Sequence, residues 1–536
     1  MLNHSREYIA MNQKTFRTHL LSFGMILFSL TVAACLFNVL FFHYARGLHS
    51  MTLLLTVIIF AVYTLLLFSL SRFLKHADTD NLEHCAAWLV PAFLLVSFVL
   101  MLLCGFWLAH KPFCDNAFVL HGADIISRHG YFPQGIDDFT YDYLLHFPNQ
   151  WGFTMLLSLL PFEQLNVSIG SNGILYLLSG IESFLFMLSF SFLLHTVRKR
   201  FGVRAQLQLV FCLASFLPHY TASAVLYTDT FSMPFVLLAL CCMLQIDERT
   251  PPRTLLLLIL GYSISLLIGC LIKATCLILF IAAAIVWLLT LHPKRAAACI
   301  LIPLFIVSVG MQAFNYTISH SIFDSDEAAQ KKVPLLHWFM MSLPTDDNYY
   351  GSNREEDYAY TYSLMAQNAS EEEILQSIYE RIGERLSSFT SFKDVFSAVL
   401  RKNANYIGDG TFGLTEMLDD MPIQENILSQ FVLYDRPYYS LYTSVCGGMW
   451  YAHLLLSAFV CLKDVKKRQF DLAIPIIAFL GLTIFEMLWE ARSRYLFNLA
   501  PLIFLISACG MTRRVPPMFP RQRCHLPTDP VLFESS

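Results

Sequence analysis

Carboxylates and cations gather at a few points between apolar runs, and those points decide what chemistry the chain can offer. The stretch KPFCDNAFVLHGADIISRHGYFPQGIDDFTYDYLLHFPNQWGF supplies Asp115 and Asp124, then Asp137, Asp138 and Asp142. An acid fixed by a helix end at a membrane surface can act as general base on an acceptor hydroxyl while the leaving group stays in the lipid. The plainer reading of these residues is a set of solvated loop carboxylates. LYTDTFSMPF places Tyr227 and Asp229 at one turn, and GCLIKATCL places Lys273 at the next. A lysine there either snorkels to the interface or meets a lipid phosphate. FEMLWEARSRYLFNLAP packs Glu486, Glu490, Arg492, Arg494 and Tyr495 between two apolar runs. Phosphate or carboxylate binding is a natural reason for two arginines at such a turn, with self-neutralising Glu–Arg pairs as the alternative.

Two further features are weaker. Glu182, in LLSGIESFLF, is an acid inside an apolar run, a functional candidate because its burial is costly, or else a protonated packing residue. HWFMMSLP, with His337 and Trp338, and the run from Arg354 to Tyr362 mix aromatics with charges as sugar-binding surfaces do.

The elements that must hold these residues are apolar helices. Of 536 residues, 56% are hydrophobic and 14% charged, against roughly 25% charged in an ordinary soluble domain. A water-soluble globule is excluded, and the apolar runs are near the ~20 residues that cross a hydrocarbon core of about 30 Å. The net charge of −4 and the lack of a large basic patch argue against nucleic acid as a partner. The fourteen cysteines show no CxxC pair and no His/Cys ligand spacing, so neither a disulfide framework nor a metal site is expected.

Spans are expected near 19–43, 51–73, 86–109, 172–196, 206–224, 230–246, 254–272, 274–292, 297–315, 441–462, 471–488 and 496–512. Every second connection carries Lys and Arg, from Arg17 through Arg72, Arg198–Arg200, Arg249, Arg295 and Lys466 to Arg513, which puts both termini in the cytoplasm. Counting 151–165 as a span would reverse Arg198–Arg200, so that segment is expected to lie as a helix at the outer interface. The fold class expected is an all-α polytopic membrane protein of about twelve spans with two long outer loops. Its parts are 1–109 (three spans), 110–171 (first outer loop), 172–315 (six spans), 316–440 (outer soluble domain), 441–512 (three spans) and 513–536 (cytoplasmic tail). Within the outer domain, 370–386 is expected to be helical and GDGTFG (408–413) to be a turn.

The order of these features resembles the GT-C superfamily of polyprenyl-phosphate-sugar-dependent glycosyltransferases, which includes protein O-mannosyltransferases and lipid A aminoarabinose transferases. The combination CDNAFV, FPNQWGF, LYTDTFSMPF, LIKAT, LHWFMMSL, GDGTFG and WEARSRYLF is similar to a group of bacterial membrane proteins, largely from Firmicutes, classed as glycosyltransferases. The resemblance covers about residues 86–512. It implies a GT-C-like fold and inverting transfer of a sugar from a polyprenyl-phosphate donor to an envelope glycan, lipid or protein. It also implies Asp115, or else Asp124, as the catalytic loop acid, and Lys273, Arg492 and Arg494 as holders of the lipid phosphate. Tyr227, Asp229, Glu490, Tyr495 and His337 are the expected substrate-binding residues. No cofactor is firmly implied, since some members use a divalent cation and others do not. The chain departs from the family in having two spans before the loop-bearing one and in carrying its long outer domain between spans. A transporter or flippase of a lipid-linked glycan is the alternative. Crowding of polar residues at one surface and the dissimilarity of the two halves favour the enzyme.

Overall fold

The protein is described by a computed structural model over residues 2–42, 52–160, 162, 172–344, 351, 354–367, 369–418, 423–434 and 436–512. Regular structure is helical throughout, with no strand among the described residues. Eight helices there are long and apolar enough to cross a membrane, beginning with Thr15–Val39, Leu53–His76 and Thr79–Trp107. The other expected spans are the shorter apolar helices Val203–Ser215, Thr228–Met243, Ala274–Thr290 and Ala473–Leu488. The expected run 206–224 therefore ends early. Pro218, which cannot donate a backbone hydrogen bond, opens a short turn of helix at Pro218–Thr221 instead.

The basic connections converge at one end of the bundle. Arg200 reaches Asp247 at 3.2 Å and Asp471 at 3.6 Å. Arg204 donates to the carbonyls of Leu74 and Ala77, and Arg295 to those of Asp247 and Thr250. Helix ends supply carbonyls that need donors, and arginine forks suit them. At the opposite end lie the segments 110–160 and 316–440, hereafter the loop-bearing side. The expected tail, 513–536, falls outside the described residues.

Two segments on that side pack closely into the bundle. Residues 110–160 form three helices, Asp115–His129, Asp138–His146 and Trp151–Ser158. The last, in the segment expected at the outer interface, turns one face into the protein. Trp151, Gly152 and Phe153 are buried, and a Cβ on Gly152 would stand 1.8 Å from the Leu271 carbonyl oxygen. Glycine alone permits that approach. Of the expected 151–165 helix, residues 161 and 163–165 lie outside the described residues.

The described residues of 316–440, expected as an outer soluble domain, pack against the helical bundle. Its acidic stretch forms the helix Glu371–Ser387, started by a Ser370–Glu373 capping box. The following helix, Phe392–Ile407, leads into GDGTFG, which plugs the helical bundle. Phe412 is buried against Phe216, Trp450 and Phe497 with centroids 5.0–5.7 Å away. The Gly408 carbonyl accepts from the Tyr451 hydroxyl at 2.7 Å. Gly410, with φ of 83°, packs where a Cβ would lie 2.5 Å from the Cys446 carbonyl oxygen.

Candidate functional site

Asp115 is the first residue of its helix, where the dipole of the aligned peptides favours a carboxylate. Asn116 ties the start of that helix to the Val225 carbonyl at 2.8 Å. This contact brings the two chemistry-bearing turns together. Tyr227 donates its hydroxyl proton to Asp115 Oδ2 at 2.8 Å and accepts from Gln150 Nε2 at 2.8 Å. The residues immediately before the pair, Cys114 and Leu226, both adopt φ of 47°. Non-glycine residues in that region hold about 1–3 kcal/mol of strain each, which the surrounding packing must impose.

Asp229 follows in the first turn of the Thr228–Met243 helix and is fully buried. It pairs with Lys273 Nζ, and Arg494 Nε lies 3.8 Å from its other oxygen. Lys273 caps the helix Pro252–Ile272 in extended conformation and sits 4.1 Å above the Tyr495 ring. Arg494 lies 5.4 Å from both the Tyr227 and Tyr495 rings. Tyr227, Asp229, Lys273, Arg494 and Tyr495 thus form one cluster beside Asp115. Two cations face one buried carboxylate within it. Arg494 Nε is buried without a hydrogen bond, and its Nη1 is directed at the weak acceptor Met417 Sδ.

A second, self-neutralising pair group adjoins it. Tyr495 donates to Glu490 Oε2 at 2.9 Å. Arg492 Nε donates to Glu490 Oε1 at 3.1 Å, and its Nη1 lies 3.3 Å from Glu416. Lys402, from the helix Phe392–Ile407, donates to the carbonyls of Met487 and Trp489 at 2.9 and 2.8 Å. Burial pushes its ammonium pKa down to about 8, opposed by the charges of Glu486 and Glu490. Of the three expected phosphate holders, Arg492 is therefore saturated by carboxylates, whereas Lys273 and Arg494 share one.

Over Asp115 lies a ring of half-exposed aromatics. Phe118 stacks on Tyr143 at 4.4 Å, and Phe147 meets Trp338 and Tyr358 at 6.1 Å. Burial and the Asp115 charge push the Tyr143 hydroxyl well up, and both also raise Tyr362, to about 12. These phenols stay protonated at neutral pH. Tyr358 and Tyr362 are four residues apart and so share a helix face. Sequence reasoning missed Tyr143 and Phe147, which that same spacing could have revealed; Gln150, Lys402 and Glu416 carry no such signal.

Two expected residues stand apart. Asp124 lies nine residues after Asp115 on one helix, which at about 3.6 residues per turn is the opposite face. It pairs with Arg128 at 2.7 Å, a structural role. His337 is fully buried behind the aromatic layer, its Nδ1 2.8 Å from the Thr361 hydroxyl. Burial holds its imidazole down to about 4, so it is neutral and packs against Tyr358. Of the remaining acids, Asp137 caps a helix and Asp142 pairs with Lys331, while Glu182 is buried between helices away from solvent.

No curated protein and no solved structure matches the chain. A family model does, over residues 10–515. With apolar helices of membrane-crossing length through that whole range, the chain belongs to the family described as conserved hypothetical integral membrane protein.

Proposed function

We propose that the protein is a membrane glycosyltransferase of GT-C type, moving a sugar from a polyprenyl-phosphate carrier to an envelope glycan, lipid or protein with inversion. In this reading the bundle crosses the plasma membrane twelve times with both termini cytoplasmic, and the loop-bearing side is extracellular. The observation that carries it is the adjacency of a half-buried carboxylate, Asp115, to a cation pair only partly neutralised by Asp229. Such a pairing suits a reaction that removes a proton at one point and releases a phosphate at another.

The acceptor hydroxyl would lose its proton to Asp115 as its oxygen bonds to the sugar C1. The bond from C1 to the phosphate oxygen breaks, and the electron pair leaves on the polyprenyl phosphate. Lys273 and Arg494 would face that developing charge, with Arg494 offering an Nε donor that makes no hydrogen bond within the protein. Gln150 and Tyr227 would keep Asp115 oriented. The half-exposed rings of Tyr143, Trp338 and Tyr358 offer flat apolar faces of the kind sugars stack on.

The test is Asp115→Asn in cells lacking the wild-type protein, with membrane insertion verified and envelope glycans compared by mass spectrometry. Loss of the same sugar in the variant and in the deletion is the expected result. Glycans altered by the deletion but normal in the variant would instead indicate a transporter.

A further inference from the structure

The Phe392–Ile407 helix has a face that the site does not use. Its C-terminal half is tied down by Lys402 on the 487 and 489 carbonyls and by Asn405 on the Ala491 carbonyl at 2.5 Å. In its N-terminal half, Phe392, Val395, Phe396 and Val399 recur at helical spacing and are 82%, 40%, 53% and 44% exposed. The two phenyl rings stack with centroids 6.2 Å apart. A continuous stripe of this kind is what an amphipathic helix presents to an apolar partner.

The height of the helix identifies that partner. The Leu400 carbonyl accepts from Asn38, and Asn403 donates to Cys35 Sγ at 3.0 Å. Cys35 and Asn38 belong to the last turns of the membrane-crossing segment Thr15–Val39. Phe392, Phe396, Val399 and Asn403 follow at i, i+4, i+7 and i+11, so they share one face. The face that touches the span at its C-terminal half therefore overhangs the span at its N-terminal half. Phe37 of the span, 55% exposed, continues the apolar surface at the same level.

We propose that the Phe392–Ile407 helix is seated in the bilayer, with its stripe in the acyl boundary of the leaflet on the loop-bearing side. Through Lys402 and Asn405 it holds the 487–491 turn, and with it Arg492 and Arg494, at the height of the lipid head groups. The inference is independent of glycosyl transfer, since it concerns how the turn is anchored and not what it binds.

Photoreactive benzoylphenylalanine placed singly at 392, 396 and, as a polar-face control, at 380 in the full-length protein in its native membrane tests it. Intact-mass spectrometry should find phospholipid adducts at 392 and 396 and none at 380. Cross-links from 392 and 396 to a second copy, or to another part of the same chain, would overturn the proposal, as would the absence of any lipid adduct at both positions. All three sites are exposed, so the replacements leave packing intact.

Discussion

The hydroxyl of Tyr227 donates to Asp115 across 112 residues of sequence at 2.8 Å, and the same hydroxyl accepts from Gln150. One phenol therefore fixes the carboxylate that begins one helix to the turn that begins another. The relay has a direction: the amide of Gln150 leaves the phenol proton no role but donation to Asp115.

If the proposed sugar transfer holds, Tyr227→Phe should lower its turnover with little change in the donor's KM. A hydrogen bond to a charged group contributes about 1.5–3 kcal/mol, or roughly 10- to 100-fold in rate. Single-turnover transfer in proteoliposomes measures it. An unchanged rate would remove Tyr227 from the positioning of Asp115.

Asp229→Asn should destabilise the protein more than Lys273→Met. The first leaves two cations, Lys273 and Arg494, buried together without their anion; the second leaves Asp229 still facing Arg494 at 3.8 Å. Breaking such a pair from one side costs about 3–5 kcal/mol. Thermal unfolding in detergent reports both, and the double variant should fall short of the sum.

Gly152→Ala should fail to fold or lose several degrees of thermal stability, because its Cβ would stand 1.8 Å from the Leu271 carbonyl oxygen, two residues from Lys273. Gly410→Ala should do the same through strain at φ of 83° and collision with the Cys446 backbone. Normal unfolding temperatures for both would contradict the packing of the site's supports.

His337 gives stability a pH dependence. Burial lowers its folded pKa from 6.5 to about 4, so between those values the unfolded chain binds more protons than the folded one. Stability then rises with pH across that window, is level above it, and is reduced by ~3 kcal/mol once pH falls below about 4. His337→Gln, which keeps a partner for Thr361, should flatten this slope in pH-dependent unfolding curves.

Much of the architecture was readable without coordinates because membrane insertion leaves a linear record. A span needs an unbroken apolar run, and the cationic connections mark its ends; Arg200, Arg204 and Arg295 stand in such connections, where Arg200 and Arg295 both meet Asp247 and Arg204 meets the Leu74 carbonyl. The turns carrying Tyr227, Asp229, Lys273 and Arg494 were legible for a related reason: a charge beside an apolar run stands out. The 392–407 stripe and the burial of GDGTFG were not, because short amphipathic and glycine-rich segments look alike in a loop and in a bundle.

By itself the sequence determined the class of solvent, the helical spans and the polar residues available between them, since each depends on composition within about 20 consecutive residues. Only the tertiary structure decided which of those residues act together. It placed Asp115 against Tyr227 and turned Asp124 away, because positions on one helix separate by angle as well as by distance. It also gave Arg492 two carboxylates while leaving Arg494 with a buried nitrogen that makes no hydrogen bond, although the two arginines stand only two residues apart. Charge pairing is set by what approaches from other segments, and that information is not local to any stretch of chain.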